Sequence, residues 1–402
     1  HQTLLMRITM LVDRYLPSPM SGAKIMSDLA TEMARRGHDV TVVTGDSGLQ
    51  HRIEITKESG VTVIRVRSKK MRHRSKIVRT INEIRLSRII WTAARDLFEA
   101  QPCDLVVYWC PTIFWSGLVS KLKAINGCGS YLVMRDMFPQ WALDTGVLSR
   151  YGLPYWFFRL QELRLYGTAD VIGVQSPVHL NYFAGPALRG RYNVEVLFNW
   201  TNLADRPNAS HPLRSKLDLG DKIIFVYGGN LGVAQDLDNV LRLAARMAEE
   251  KNVHFLLLGD GSESNRIKLE IQRGRLTNVF LHPAVSPDEY MDILAECDVG
   301  LITLRRDLTV PNFPGKMLGY MALRMPMLAS INTGNDLSTI VLGHNAGFVC
   351  NNGEDEVFYQ YALQLARDRD LRQRMGQNAY RLLVDKFDVS NAANQILSHF
   401  LH

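Results

Sequence analysis

The chain has 402 residues, 46% of them hydrophobic, and a formal net charge of +7. That length exceeds one ordinary core and predicts two domains, while the apolar content excludes an intrinsically disordered or low-complexity chain. The five cysteines never form a Cys-x-x-Cys pair, which argues against a disulfide framework or zinc knuckle and fits a reducing cytosol.

No basic-then-apolar leader opens the sequence, and strand-like residues from Arg7 onward suggest a natural start near Met6. "RITMLVD" predicts a strand, "GAKIMSDLATEMARRGHD" a helix, and "VTVVTG" the next strand. "VTVIRVR", "LVVYW", "YLVMRD", "VIGVQS" and "VEVLF" continue the series, with helical segments between most of them. Short β-branched runs alternating with longer amphipathic ones predict parallel βα units. The apolar stretch Leu105 to Ser120 is too short to span a bilayer and is broken by Pro111, so it reads as a buried strand and helix. "NWTNLADRPNASHPLRSKLDLGD" interrupts the alternation as a linker. The pattern restarts with "IIFVYGGN", "HFLLLGDG", "NVFLHP", "VGLITL", "PMLAS" and "GFVC". In "SPDEYMDILAEC", Ser286 can cap a helix, Pro287 fits its first position and Glu289 completes a capping box. A long helical stretch from Glu354 to about Lys386 precedes the short helix "VSNAANQILSHFL". The expected fold is α/β: two doubly wound, Rossmann-like parallel-sheet domains facing a cleft, with ligands at the carboxyl ends of the strands. Residues 1–200 form the first domain and 201–386 the second; 387–402 are a helix expected to pack back on the first.

Charge is uneven. Residues 1–200 carry a net +10 and the remainder −3. Arg65 to Arg88 holds ten Lys and Arg with Glu83 as its only acid. Such a run is a solvated face, a contact for anionic membrane or, least favoured, a nucleic-acid site.

Three strand ends carry phosphate-type chemistry. Gly228-Gly229-Asn230, with Gly232, precedes an amphipathic helix; "LLLGDGSES" repeats the layout around Gly261; "VPNFPGK" adds Phe313, Pro314, Gly315 and the cation Lys316. Glycine lets backbone approach a phosphate, and a helix N-terminus offers free N–H groups. No Gly-x-Gly-x-x-Gly fingerprint or Walker loop occurs. In the first domain, Gly22 opens a helix expected to face the same cleft.

The opening "GA…LA.EMARRGHDVTVVT", "GGNLG", "LLLGDG", "ECDVGLI" and "PGKMLGYMALRMPMLAS" together resemble the family 4 glycosyltransferases, retaining GT-B enzymes. Within them, "VDRYLPSP.SGAKIMSDLA", "RDMFPQWALDTG" and "ADVIGVQSP" resemble bacterial surface-polysaccharide L-fucosamine transferases. The resemblance implies a UDP-sugar donor, no metal or other cofactor, a polyprenyl-diphosphate-linked saccharide acceptor, and a cytoplasmic enzyme peripheral on the inner face of the bacterial plasma membrane. It implies donor binding by Gly22, Gly229, Asn230, Gln235, Gly261, His282, Phe313, Pro314, Gly315 and Lys316. Asp136 would orient the acceptor hydroxyl and Arg135 would bind a phosphate or the acceptor, the alternative being a structural Arg–Asp pair; Lys316 would steady the leaving diphosphate, the alternative being a solvent-facing lysine.

The sequence departs from the family at several points. Asn230 and Gln235 stand where an Arg and a Lys are common, Gly319 where a ribose-binding Glu is usual, and no histidine lies near Arg135-Asp136. Gly319 costs its helix about 1 kcal/mol relative to Ala, so either a close-passing nucleotide or helix packing must account for it. A UDP-sugar epimerase of the same fold and a nucleic-acid-binding protein are the competing readings.

Overall fold

The computed structural model describes residues 5–18, 21–69, 76–144, 146–203, 211–308 and 314–401. The chain divides into two compact units: His1–Thr201 with Val389–His402, and Asn202–Asp388.

The first unit is built on an eight-stranded sheet. Its strands are β1 (Arg7–Val12), β2 (Asp39–Asp46), β3 (Ile53–Glu58), β4 (Val61–Arg67), β5 (Leu105–Cys110), β6 (Gly129–Met134), β7 (Val171–Val174) and β8 (Val194–Val196), in the order β3-β4-β2-β1-β5-β6-β7-β8. Alternate residues feed opposite faces. Leu11, Val43, Val106 and Tyr108 join one buried cluster, and Met10, Val42, Val107 and Trp109 the other. Both faces are therefore covered, which is why the strands read as continuous apolar runs.

β3 corrects the sequence reading, which has no strand there. "IEITKE" alternates at the sheet edge and pairs antiparallel with β4, Ile55 opposite Ile64. The turn between them places Ser59 and Gly60 at φ 50° and 83°, the left-handed backbone that hairpins require.

The terminal helix Val389–Ser398 belongs to this first unit. Arg36 anchors it, donating to Asn394 Oδ1 at 2.5 Å and to the Ser390 carbonyl at 2.9 Å.

The second unit is a six-stranded parallel sheet. Its strands are β9 (Ile223–Gly228), β10 (Val253–Leu258), β11 (Val279–His282), β12 (Val299–Thr303), β13 (Met327–Ile331) and β14 (Gly347–Asn351), in the order β11-β10-β9-β12-β13-β14. The order reverses direction at β9, so the first βα turn lies at the switch point where such sheets bind ligands. Ser286 caps helix Pro287–Leu294 through the Glu289 N–H at 3.3 Å, while the Glu289 carboxylate lies 3.5 Å from His211. The long helix expected from Glu354 is two, Asp355–Arg367 and Arg369–Leu382. Asp368 is extended between them and caps the second, accepting from the Leu371 N–H at 2.8 Å.

Candidate active site

The strand-end turns of the second unit interlock through their backbones. Gly229 N–H bonds the Leu258 carbonyl at 2.9 Å, and Leu231 N–H bonds that of Asp260 at 3.0 Å. The approach is close enough to demand glycine: a β-carbon at Gly261 would sit 2.3 Å from the Leu231 carbonyl oxygen. Gly229 itself has φ 132° and is exposed. Asn230 Nδ2 donates to Gln235 Oε1 at 3.1 Å, so these two neutral side chains close the turn over Gly232 and bring it no charge.

The charge comes from Lys316, nearly ninety residues away. Its ammonium donates to the Tyr227 hydroxyl at 3.0 Å and lies 4.2 Å from that ring's centroid. The Tyr227 hydroxyl in turn donates to the Asn230 carbonyl at 2.8 Å. A β-carbon on Gly229 would be 3.4 Å from Lys316 Cε and 3.8 Å from Nζ. No carboxylate among the described residues lies within ion-pairing distance of this ammonium, and burial pushes its pKa from 10.5 down to about 8. Nearby, Arg266 and Arg305 line a cavity of about 700 Å³, but they are neutralised by Asp238 and Glu263 and by Asp307. Lys316 is thus a cation held against an open glycine turn with its charge uncompensated. Such a group stabilises an anion strongly, because its desolvation has already been met by the fold.

Of the other predicted donor residues, Pro314 and Gly315 precede Lys316, and Gly315 faces open space. Phe313 lies outside the described residues. Gly259 N–H bonds the His282 carbonyl at 2.9 Å, which puts His282 at the same sheet edge; its Nδ1 turns back to the Pro283 carbonyl, also at 2.9 Å. Gly319 faces helix Pro287–Leu294, where a β-carbon would press to 3.2 Å from Leu294 Cδ1 and 3.7 Å from Met291 Sδ. Helix packing explains this glycine.

In the first unit, Arg135 follows β6 at the carboxyl edge of the sheet. Its guanidinium donates to the carbonyls of Met134 at 2.9 Å, Gly173 at 3.3 Å and Phe198 at 3.4 Å, and its Nε–H has no partner. The rings of Trp200 and Trp109 lie 5.3 and 6.0 Å away. Burial without a carboxylate lowers its pKa to about 9. Arg135 and Asp136 are therefore not an ion pair. Gly22 meets the same cluster, since a β-carbon there would touch the Trp109 ring at 2.9 Å.

Sequence reasoning missed Asp13. It follows β1, beside a cavity of about 400 Å³ that Thr44, Asp46, Arg65 and Lys69 also line. Burial raises its pKa from 3.8 to about 6, against the pull of Arg14 and with a further push from Glu83. A lone carboxylate closing an apolar strand was the available signal. Arg65 is itself buried and paired with Glu58 at 2.7 Å, so it adds nothing to the outward charge of the basic segment. Lys70, Arg72 and Arg74 lie outside the described residues. No group of three or more His, Cys, Asp or Glu among the described residues is placed to hold a metal ion.

Two open sheets, parallel but for the edge strand β3 of the first and each with polar residues at its carboxyl edge, define a GT-B protein. The families follow the same division: residues 22–200 match the glycosyl transferase 4-like domain and residues 211–382 the glycosyl transferases group 1. Each unit thus matches a glycosyltransferase domain family. The chain is 26% identical over 228 residues to the probable glycosyltransferase WbjE of Pseudomonas aeruginosa, covering 54% of this chain and 55% of that protein. It is 30% identical over 136 residues to the putative colanic acid biosynthesis glycosyl transferase WcaI of Escherichia coli K12, covering 33% of each. The aligned regions thus span about half or less of these curated relatives. Anabaena Alr3699/HepE, solved in complex with UDP and glucose, superposes with a TM-score of 0.68 over 98% of this chain and 99% of that one, at 16% identity.

Proposed function

We propose that the protein is a retaining, family 4 glycosyltransferase that moves a sugar from UDP to a polyprenyl-diphosphate-linked saccharide in O-antigen or capsule assembly. The observation that carries this reading is the uncompensated Lys316 ammonium beside the open Gly229 turn. A nucleotide diphosphate has the charge that this cation lacks and the shape that a glycine turn admits. Lys316 then stabilises the charge that builds on the leaving diphosphate, while Asp136 orients the acceptor hydroxyl and the Arg135 cation binds a phosphate or the acceptor. The acceptor attacks on the face the diphosphate leaves, and the departing phosphate takes the hydroxyl proton. No metal takes part in this reading.

The sugar we assign is N-acetyl-L-fucosamine, on the resemblance of "RDMFPQWALDTG" and its companion stretches. The similarity to a relative named for colanic acid biosynthesis supports polysaccharide assembly. An anionic partner at the cytoplasmic membrane face is supported by a groove of about 470 Å³ in the first unit, where Arg52, Arg67, Arg85 and Arg88 meet. None of the four has a carboxylate of a described residue within ion-pairing distance. No helix among the described residues is long and apolar enough to cross a membrane.

The test is thermal. UDP without added magnesium raises the melting temperature, since a ligand that binds only the native state stabilises it. Lys316→Ala abolishes most of that rise. A full response to UDP in the variant would remove Lys316 from the donor site.

A further inference from the structure

Helix Leu153–Thr168 of the first unit is built inside out. Its only acid, Glu162, is fully buried, accepting from Tyr166 at 2.6 Å, from Tyr182 at 2.8 Å and from Arg159. On the opposite face, Leu153, Trp156, Phe157 and Leu160 recur at helical spacing and are 87%, 57%, 42% and 47% exposed. Tyr151, just before the helix, is 96% exposed, and Val147 is exposed as well. With each aromatic ring offering about 150–250 Å² when bare, the ridge leaves on the order of 500 Å² of apolar surface in one place. That is near the upper limit for a patch on a soluble monomer and marks a contact surface.

The charges around the ridge choose its partner. From residue 147 to 164 every exposed charged side chain is an arginine, Arg150 and Arg164. A second copy of this chain would set these cations against each other. An anionic bilayer would not: it accepts aromatic and aliphatic side chains at the level of its headgroups and attracts the flanking arginines. The neighbouring helix Lys76–Ala100 continues the character. It exposes Ile81 and Ile84 with Arg85 and Arg88, and its Ser87 bonds the carbonyl of Phe114, whose ring lies 6.5 Å from Phe157.

We infer that Leu153, Trp156, Phe157 and Leu160 insert into the headgroup region of an anionic membrane and hold the protein there by apolar contact. This rests on the proposed membrane-surface role and deepens it, because the arginine groove alone would give only salt-sensitive attraction.

The test is flotation of the full-length protein with phosphatidylcholine vesicles containing phosphatidylglycerol, at low salt and at about 1 M salt, where the Debye length is about 3 Å. Wild type keeps a bound fraction at high salt, and Trp156→Ser with Phe157→Ser lowers that fraction about tenfold. Phe157 shares ring contacts with Phe114 and Phe158, so this variant melts somewhat lower than wild type. Leu153→Ser with Trp156→Ser, at the two most exposed positions of the ridge, is the second variant, which melts as wild type does and loses the same flotation. Both variants keep their thermal response to UDP, so failure here is distinguishable from failure of the glycosyltransferase reading. Unchanged high-salt flotation in the second variant would overturn the inference. So would a concentration-dependent dimer of wild type that this variant turns into monomer, since the ridge would then belong to a second copy.

Discussion

Replacing Lys316 by Met keeps the length of the side chain and removes its charge. Burial lowers the lysine's pKa from 10.5 to about 8, so holding it protonated in the fold costs about 3 kcal/mol at neutral pH, and roughly 2 kcal/mol after allowing for its partial exposure. The variant loses the hydrogen bond and ring contact with Tyr227, together about 1 kcal/mol. Lys316→Met should therefore be the more stable protein without ligand by about 1 kcal/mol. For a domain of 150–250 residues this raises the melting temperature by about 2–4 °C. The sign follows from the pKa. The unfolded chain binds more protons between about pH 8 and 10.5, so wild-type stability rises with pH across that window and the gap between the two proteins closes. With UDP the order reverses, because saturation near 100 times Kd adds about 2.7 kcal/mol to a binder and nothing to a non-binder. Melting curves with and without UDP, near pH 7 and above pH 9, read all of this. A variant that melts below wild type near pH 7, or that keeps the UDP response, refutes the account of Lys316.

Three other outcomes are expected. Asp136→Asn should lose most transfer activity while UDP still shifts its melting; equal loss of both would make Asp136 structural. Asp13→Asn should gain about 2 kcal/mol near pH 8 and lose the pH dependence this group imposes, since a carboxyl raised from 3.8 to about 6 withdraws stability as pH rises through that window; parallel pH profiles in chemical denaturation would contradict the burial argument. Arg85→Glu with Arg88→Glu should weaken binding to anionic vesicles at low salt and leave the high-salt fraction intact; unaltered low-salt binding would clear the arginine groove of the role.

Features that depend on a few neighbouring residues were legible in the chain. Alternating β-branched runs announced both sheets, Ser286 and Pro287 announced a helix start, and glycines marked the strand ends of the second unit, because pleat, caps and tight turns are local chemistry. β3 escaped because a short, polar edge strand has only one buried face, and "IEITKE" shows little apolar signal. The meaning of the site residues was not local. Strand order alone sets β12 and the helix after it beside β9, and so delivers Lys316 to Tyr227 and Gly229. The same is true of Gly319, which stands where a ribose-binding Glu is usual and whose surroundings are Leu294 and Met291. Arg135 and Asp136 are adjacent in the sequence, yet consecutive residues at a strand end point in different directions, and the partners of Arg135 come from β7, the Phe198 loop and two tryptophans. Helix Leu153–Thr168 makes the point most sharply. Its composition fits a core helix, and only the packing of Glu162 against Tyr166 and Tyr182 turned Trp156 and Phe157 outward, because a helix apolar on both sides is oriented by whichever face its neighbours can satisfy.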